Sequence, residues 1–478
     1  MLFGRRGLTD LGRAYAAKNE VCQQCPRFWQ WVMFAAADAY SPKNVEKAQV
    51  CIIGSGPAGI TLAYSLARYG VSVVLVEAGA RRFREDSQDF YRGQVVGNNY
   101  FDLSACRLRM FGGTSNHWGG WCRPLDSHEL NGGGISSSKL NWPVSDADLS
   151  RYWAEACRIL QVSDDFEDKD VGSGIRQLNI QYGPPVIFGE SYWSFFDSSK
   201  SVRVFLESTL IDVRPRNHRV HGALIRSRID GGKLVDWWIE AEYFVLCLGG
   251  LENSRILLWL NERHRKGIVA KHDSIGRYWM EHPRAALGEM LVSERTYRLF
   301  RQDLVHLALN PRLQKGLKIG GARYTISALT YRKSQALITE LQRVAPGLSE
   351  YFFRMLNEKR LPCGACFYSE WEQMQDWDNR VSLGADTDSY GIPRVTLLWR
   401  KTERDLETIL LATHALVNGF TNLNLGRARL EDWLMESMDI PPQQEMAGYH
   451  HMGGTRMGYS ETDSIVDPNL RVHGLQNL

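Results

Sequence analysis

Blocks of like charge, long apolar runs and closely spaced cysteines are all missing from this sequence, and each absence excludes a class of protein. No long run of one charge sign occurs, and 57 Lys and Arg against 54 Asp and Glu leave a formal charge of only +3. A basic arm that binds nucleic acid would require such a run. We therefore expect no nucleic-acid partner.

The sequence predicts neither a membrane span nor an export signal. The apolar stretch at residues 28–40, FWQWVMFAAADAY, contains Gln30 and Asp38 and is shorter than the ~20 residues that cross a bilayer. It predicts a packing helix or, alternatively, a helix on a membrane surface. The pair Arg5 and Arg6 is not followed by the apolar core of about 7 to 15 residues that an export signal has. We expect a cytoplasmic location.

The nine cysteines are too scattered for a disulfide scaffold, and their odd number fits a reducing compartment. Two pairs, Cys22 with Cys25 and Cys363 with Cys366, each have the spacing of half a zinc site. A shared metal, a redox pair and ordinary thiols are the alternatives. Ordinary thiols are favoured, because neither pair lies in a thioredoxin-like βαβ context. No metal site is predicted.

Local patterns define the architecture, since no repeat of fixed period appears. The stretch VCIIGSGPAGITLAYSLARYGVSVVLVEAG predicts a strand ending at Ile53, a glycine turn, a helix to about Tyr69 and a second strand ending at Glu77. Residues 142–162 predict an amphipathic helix with a serine cap, and residues 402–424 a longer one. Residues 202–248 predict antiparallel strands.

The segment GSGPAG has the spacing of a dinucleotide-binding turn, with a strand before it, a helix after it and Glu77 further along the chain. Gly54 allows the tight turn, Gly56 the approach of a pyrophosphate, and Gly59 the packing of helix on strand. Pro57 and Ala58 complete the turn, and Glu77 would accept hydrogen bonds from an adenosine ribose. The turn alone does not distinguish FAD from NAD.

Two later segments favour FAD. The first, FGGTSNHWGGWC, is a glycine-dense loop whose Thr114, Ser115 and Asn116 could line a large cofactor. In the second, LCLGGLENSR, an apolar strand again meets a glycine pair before a helix.

With these segments, IGRYWMEHP, YHHMGGTRMG and VDPNLRVHGLQNL in this order, the chain resembles the glucose-methanol-choline (GMC) family of FAD-dependent alcohol oxidoreductases. The resemblance covers nearly the whole chain and is nearest to the branch that acts on sugars and glycosides, which includes pyranose oxidases, glucoside 3-dehydrogenases and large subunits of sugar-acid dehydrogenases. It implies an α/β fold with an α+β insert, in which a Rossmann-type FAD-binding domain is interleaved with an antiparallel-sheet substrate domain.

The resemblance also implies site residues. His450, three residues before Gly453, matches the histidine beside the reactive edge of the flavin and would be the base; His451 in that role, or both histidines as structural residues, are the alternatives. His117 matches a histidine that some members bond covalently to FAD; packing or hydrogen bonding against FAD is the alternative. The cofactor-binding residues implied in this loop are Gly112, Gly113, Thr114, Ser115, Asn116 and His117.

Adjacent side chains of an extended strand point to opposite faces, so His450 and His451 are poorly placed to share one metal ion. An imidazole with a pKa near ~6.5 suits a base at neutral pH. His282 and His473 are interpreted as loop and packing residues. Candidates for stacking on a sugar are Trp118, Trp121 and Trp142.

We predict six segments along the chain. They are an N-terminal helical segment (1–46), a first FAD-binding segment (47–145), a substrate-domain or cap segment (146–200), a second FAD-binding segment (201–283), a substrate-binding domain (284–440) and a C-terminal FAD and catalytic segment (441–478). Members of the family that the chain resembles continue with a segment that supplies a second catalytic His or Asn, so we expect the sequence to be truncated after Leu478. The alternative is a protein that lacks part of its flavin site and is a weak or inactive enzyme.

The predicted function is FAD-dependent oxidation of a hydroxyl of a pyranose sugar or glycoside to a ketone. The proton would go to His450 and the hydride to the flavin. The alternatives are oxidation of a non-sugar alcohol, a non-catalytic FAD-binding subunit of a larger assembly and, less favoured, an NAD-dependent dehydrogenase. Oxygen, a quinone or a cytochrome would accept the electrons. A small accessory subunit is a candidate partner, and export with such a partner would make the location periplasmic.

Overall fold

The computed structural model of the protein describes residues 45–130, 141–265, 267–269, 272–293, 305–329, 363–437, 439–442 and 444–478, with the single residues 296 and 340. The predicted N-terminal helix, with the 28–40 stretch and the Cys22–Cys25 pair, lies outside these residues.

The described strands and helices follow one another without internal repetition. The strands are β1 (Glu46–Ile53), β2 (Val73–Val76), β3 (Gly93–Gly97), β4 (Trp121–Cys122), β5 (Lys169–Gly172), β6 (Ile175–Gln177), β7 (Gln181–Tyr182), β8 (Val202–Phe205), β9 (Ser208–Arg216), β10 (Arg219–Arg228), β11 (Leu234–Leu246), β12 (Pro283–Val292), β13 (Val305–Leu309), β14 (Ala322–Ala328), β15 (Cys363–Trp371), β16 (Arg380–Thr387), β17 (Pro393–Trp399), β18 (Gly426–Leu430) and β19 (Glu445–Ala447). The α-helices are α1 (Pro57–Arg68), α2 (Glu85–Gln88), α3 (Ser127–Leu130), α4 (Asp146–Ser150), α5 (Trp153–Leu160), α6 (Phe188–Ser191), α7 (Trp193–Ser198), α8 (Gly249–Arg263), α9 (Pro311–Leu317) and α10 (Glu403–Asn422).

A six-stranded sheet in the order β8-β2-β1-β11-β10-β9 forms the first layer. β8, β2, β1 and β11 are parallel, whereas β11, β10 and β9 are antiparallel. Among the parallel strands, Ile53 lies beside both Val76 and Leu246, so three strands end together at one edge. Ligands of open parallel sheets bind beyond this edge.

The alternation of side chains along β1 explains why this sheet is buried on both faces. Cys51 and Ile53 pack into one hydrophobic cluster, and Val50 and Ile52 pack into another that includes Ile60 of α1. The predicted βαβ unit is confirmed, with β1, α1 and β2 close to the expected bounds.

The prediction of antiparallel strands over residues 202–248 is only partly correct. β9, β10 and β11 do form an antiparallel meander, but β8 pairs with β2 and β11 with β1 in parallel. β11 therefore joins the antiparallel meander to the parallel strands of the same six-stranded sheet.

A second, eight-stranded sheet is antiparallel and has the order β18-β12-β15-β14-β13-β6-β5, with β19 paired to β12. One face packs on α10, where Tyr324 and Ile326 of β14 meet Ile409 and Leu416 of the helix. The side chains of alternate residues on β14 point to the opposite face.

Two helix starts carry capping boxes, and the serine cap of the first part of residues 142–162 was predicted. Thr402 caps α10 through a reciprocal capping box with Asp405, and Ser145 caps α4 in the same way with Asp148. The amphipathic helix predicted at 142–162 is nevertheless divided into α4 and α5 near Arg151.

A three-stranded sheet, β16-β17-β3, links distant regions of the chain, since β17 pairs in parallel with β3. Arg255 of α8 donates a hydrogen bond to the carbonyl oxygen of Pro393 at 2.7 Å, which holds this sheet against α8. Among the residues that the structure describes, no helix combines the length and the apolar character needed to cross a membrane.

Candidate active site

The turn between β1 and α1 is shaped by its glycines. Gly54 has φ +103°, and a Cβ there would lie 2.4 Å from the carbonyl oxygen of Cys247. A Cβ at Gly59 would lie 1.9 Å from the oxygen of Gly54, so helix and turn are in direct contact. At Gly56 a Cβ would meet no atom within 4 Å. This position therefore faces open space at the N-terminus of α1, where backbone N–H groups favour an anion.

Glu77 closes the same turn from the end of β2. Its carboxylate accepts hydrogen bonds from Ser55 N at 3.0 Å, Ser55 Oγ at 2.6 Å and Gly79 N at 2.7 Å. Burial raises the pKa of Glu77, and these hydrogen bonds act in the opposite direction. The Glu77 carboxylate therefore already accepts hydrogen bonds from within the protein. Its hydrogen bonds to an adenosine ribose stay a prediction.

A cavity of about 1000 Å³ connects the glycine turn with the histidines near the C-terminus. The predicted site residues that line it are Gly54, Gly56, Pro57, Ala58, Glu77, Gly113, Thr114 and His450. The carboxyl end of β11 and the start of α8 form a further, mainly apolar stretch of the wall. The open position at Gly56, the helix N-terminus and the long apolar wall fit a dinucleotide with a flat ring system.

The other predicted cofactor residues do not line this cavity; they are Gly59, Gly112, Ser115, Asn116 and His117. The side chains of Ser115 and Asn116 instead stabilise their own loop by hydrogen bonds to its backbone. Ser115 Oγ donates to the oxygen of Gly112 at 2.6 Å, and Asn116 Nδ2 donates to the oxygen of Gly113 at 2.7 Å. Burial lowers the pKa of His117. Its covalent attachment to FAD stays a prediction.

His450 meets His282 at the other end of the cavity. His282 Nε2 lies 2.6 Å from His450 Nδ1, and the two rings are steeply inclined to each other, at 63°. The pairing of β12 with β19 brings them together, because His282 precedes β12 and His450 follows β19. A Cβ at Gly448 would lie 2.0 Å from the ring of His282, so only glycine leaves room for this arrangement.

Glu281 supports the backbone of both histidines. Its carboxylate accepts hydrogen bonds from the N–H of His450, at 3.0 and 3.2 Å, and from the N–H of His282 at 3.0 Å. The hydroxyl of Tyr100 donates to the same carboxylate at 2.8 Å and lies 3.0 Å from Nε2 of His451. His450 and His451 therefore have different partners.

The electrostatic environment keeps the imidazoles neutral. Burial lowers the pKa of His282 and that of His451 to about 3 each, with nearby cationic or imidazole groups contributing. The pKa of His450 is also lowered, first by burial and then by Arg323 and Arg284. Burial raises the pKa of Glu281 to about 7. A neutral imidazole can accept a proton, which an imidazolium cannot.

The interpretation of His282 as a loop residue missed this contact. The segment IGRYWMEHP carries Glu281 and His282, but its proximity to His450 depends on strands far apart in the sequence. His473 agrees with its interpretation, since Nε2 lies 2.9 Å from Ser464 Oγ. Cys366 Sγ lies 3.2 Å from Ser327 Oγ, a contact typical of an ordinary thiol.

A glycine-turn βαβ unit, a long cavity for a dinucleotide and neutral imidazoles at its far end together define a flavin-dependent oxidoreductase. Sequence comparison supports this class at both ends of the chain. The profile of an FAD binding domain matches residues 47–103, and that of the GMC oxidoreductase family matches residues 376–478.

Two relatives align with nearly the whole chain. The fructose dehydrogenase large subunit of Gluconobacter japonicus is 22% identical, with 90% of this chain and 92% of the relative covered. The 2-methyl-1,2-propanediol dehydrogenase of Mycolicibacterium austroafricanum is 21% identical, with 91% and 90% covered.

Solved structures share the fold. Pyridoxine 4-oxidase from Mesorbium loti gives a TM-score of 0.54 at 16% identity, and a formate oxidase gives 0.53 at 14%. Both alignments cover 91% of this chain and 93% of the other. The chain resembles the GMC oxidoreductases over nearly its whole length, and it is an FAD-binding oxidoreductase that acts on CH–OH donors.

Proposed function

We propose that the protein oxidises a ring hydroxyl of a pyranose sugar or glycoside to the ketone, with His450 as the base. The observation that carries this proposal is the 2.6 Å contact between His450 Nδ1 and His282 Nε2 at the wall of the cavity. Donation of the Nδ1 proton of His450 to His282 leaves Nε2 of His450 as a free acceptor for a hydroxyl proton. Bound FAD supplies the two-electron acceptor chemistry for the carbinol hydrogen.

Fixed hydrogen bonds support His450 in this role. The N–H of His450 is anchored on Glu281, so the ring is held by the backbone as well as by His282. A positioned base of this kind contributes about 10²- to 10⁴-fold to a proton transfer.

The sugar as substrate is supported by the relationship to the fructose dehydrogenase large subunit. The partly exposed ring of Trp121 supplies an aromatic face next to the polar side of the eight-stranded sheet. The same relative is a large subunit by name, which supports a small accessory subunit as a partner.

A non-sugar alcohol is the second candidate, because the other relative is a 2-methyl-1,2-propanediol dehydrogenase. The two substrates differ in shape and in the number of hydroxyl groups. Direct comparison of them on one enzyme preparation separates the candidates.

The test is anaerobic absorbance of the purified FAD-loaded protein during addition of pyranoses, glycosides and 2-methyl-1,2-propanediol. We expect the flavin band to bleach with a pyranose or glycoside. Bleaching by the diol alone would support the second candidate, and a yellow protein that no alcohol bleaches would contradict both. Colour that remains in the acid-precipitated protein would support a bond at His117.

The matched variants are His450→Gln and His221→Gln, the latter on the exposed side of β10. We expect His450→Gln to slow flavin reduction by about 10²- to 10⁴-fold at unchanged FAD content. His221→Gln controls for the loss of an imidazole and should reduce flavin at the rate of the unchanged protein.

A further inference from the structure

Two arginines share one carboxylate on the polar face of the eight-stranded sheet. Arg284 on β12 and Arg323 on β14 both lie opposite Glu370 on β15. Arg284 Nε lies 3.3 Å from Glu370 Oε1, and Arg323 forms an ion pair with Oε2. This face is opposite to the one that packs on α10.

This polar face is next to the proposed base. Arg284 lies two residues after His282, and residues two apart on an extended chain point to the same side. The start of β12 pairs with β19, which leads directly to His450. The positive charges of Arg323 and Arg284 contribute to the lowered pKa of His450, in agreement with their proximity.

The charges on this face do not cancel. Among the described residues, the salt bridges of Arg284 and Arg323 both run to Glu370, so two guanidinium groups face one carboxylate. The pKa values of the nearby His282 and His306 are lowered to about 3 and about 4. Both imidazoles are therefore uncharged at neutral pH and do not alter this balance. Burial, with Arg284 nearby, lowers the pKa of Arg323 to about 10, and it stays protonated. Among Arg284, Arg323 and Glu370, one positive charge is therefore left over.

Both arginines remain accessible to a ligand. Their side chains are 27% and 26% exposed, whereas that of Glu370 is 11% exposed. The guanidinium of Arg323 also lies 5.6 Å from the ring of Trp121, which is 39% exposed. A guanidinium beside a partly exposed aromatic ring can bind a carboxylate and the apolar side of a sugar ring together.

We propose that the substrate is an acidic sugar whose carboxylate is bound by Arg323 and Arg284 while its ring hydroxyl faces His450. This inference rests on the proposed oxidation of a pyranose or glycoside and specifies its substrate class. The carboxylate offsets the surplus positive charge, and the paired N–H donors of a guanidinium match its two oxygens.

The test compares methyl β-glucuronide with methyl β-glucoside, which differ only in a carboxylate or a hydroxymethyl group on the ring. We expect the FAD-loaded protein to have the higher kcat/KM for the glucuronide. In Arg323→Gln the ratio of the two kcat/KM values should fall about 10- to 100-fold, and Arg323→Lys should recover some of it. Arg226→Gln, which changes a partly exposed arginine on β10, should leave the ratio unchanged.

Glu370→Gln separates substrate binding from a structural role. It removes the one negative charge shared by the arginines, so the preference for the glucuronide should persist or increase. A structural role of the three residues would instead make Glu370→Gln and Arg323→Gln lower both kcat/KM values together. Such a result, or a preference for the neutral glucoside that Arg323→Gln does not change, would overturn the inference.

Binding provides a readout that does not depend on oxidation. Isothermal titration of FAD-loaded His450→Gln with methyl β-glucuronide should give a Kd that rises about 10- to 100-fold when Arg323→Gln is added. If neither sugar bleaches the flavin but this difference is found, the proposed oxidation fails and the anion site stands. If the glucuronide does not bind, or binds equally to both variants, the anion site is refuted.

Discussion

The imidazole of His282 touches the imidazole of His450, with Nε2 2.6 Å from Nδ1, although 168 residues separate them in the chain. The contact occupies one nitrogen of His450 and thereby selects which nitrogen is left for a substrate. His282 is thus a positioning residue for the proposed base, and Glu281 anchors the backbone of both.

Replacing His282 by Phe is expected to slow flavin reduction by about 10- to 100-fold, because the nitrogen that orients His450 is lost while the ring volume is kept. The measurement is stopped-flow flavin absorbance under anaerobic conditions. His282→Gln retains a hydrogen-bond acceptor and should recover some of the rate. Equal rates in His282→Phe and His282→Gln would mean that the hydrogen bond has no role in orienting the base.

The pH dependence of reduction should report on His450. The base must be neutral, so activity is lost as the pH falls through its pKa. Because burial, Arg323 and Arg284 lower that pKa from 6.5, we expect the midpoint of this loss below pH 6.5.

Removing one of these positive charges should move the midpoint. Arg323→Gln makes protonation of His450 easier, so the loss of activity should begin at higher pH than in the unchanged protein. Arg226→Gln is the control for a lost surface arginine. A midpoint that moves to lower pH in Arg323→Gln would contradict the assignment of the loss of activity at low pH to protonation of His450.

Two glycines of the turn should respond differently to the same added methyl group. Gly56 has φ −68° and ψ −176°, which any residue adopts, and its Cβ would enter the cavity without touching protein. Gly56→Ala should therefore keep the melting temperature of the apoprotein and weaken FAD binding by about 10-fold or more.

At Gly54 the same change meets both backbone strain and the oxygen of Cys247 at 2.4 Å. We expect Gly54→Ala to lower the free energy of unfolding of the apoprotein by about 2 kcal/mol or more, and FAD binding with it. Thermal unfolding without FAD and fluorescence titration with FAD distinguish the two variants. A Gly56→Ala protein that binds FAD normally would show that the cofactor does not approach this turn.

Local sequence chemistry sufficed for the elements around that turn. The strand before Gly54 and the helix after it need only neighbouring residues, and so does the capping box of Thr402 with Asp405. The parallel pairing of β8 with β2 was not predicted, because it joins Val202 to Val73 and no local pattern specifies a partner strand so distant.

The candidate site also contains some residues that a local motif predicts and others that only distant strand pairing brings together. His450 was predicted from the resemblance of a short motif. The positions of His282, Glu281 and Tyr100 beside it depend on the pairing of β12 with β19 and on the hydrogen bond from Tyr100 to Glu281, which no short motif specifies. Ser115 and Asn116 were predicted to face the cofactor because they are polar in a glycine-rich loop. In the structure, both side chains donate hydrogen bonds to backbone oxygens of the same loop.

A buried chain of charges holds α8 against the β16–β17 hairpin. Arg255 donates to Glu252 at 3.0 Å and to Asp388 at 2.5 Å, and the side chains of Arg255 and Asp388 are only 3% and 2% exposed. Glu252 also accepts from Arg107 at 2.8 Å, so two arginines and two carboxylates balance.

Asp388→Asn removes one of those carboxylates and leaves a positive charge uncompensated in a buried site. We expect the free energy of unfolding to fall by about 3 kcal/mol or more. Asp236→Asn is the matched control, because Asp236 pairs with Arg226 at 2.8 Å on the surface, with the side chains 40% and 27% exposed. Water screens that pair, so its loss should cost less than about 1 kcal/mol. Urea unfolding at saturating FAD measures both variants, and similar losses would show that burial does not strengthen the Arg255–Asp388 pair.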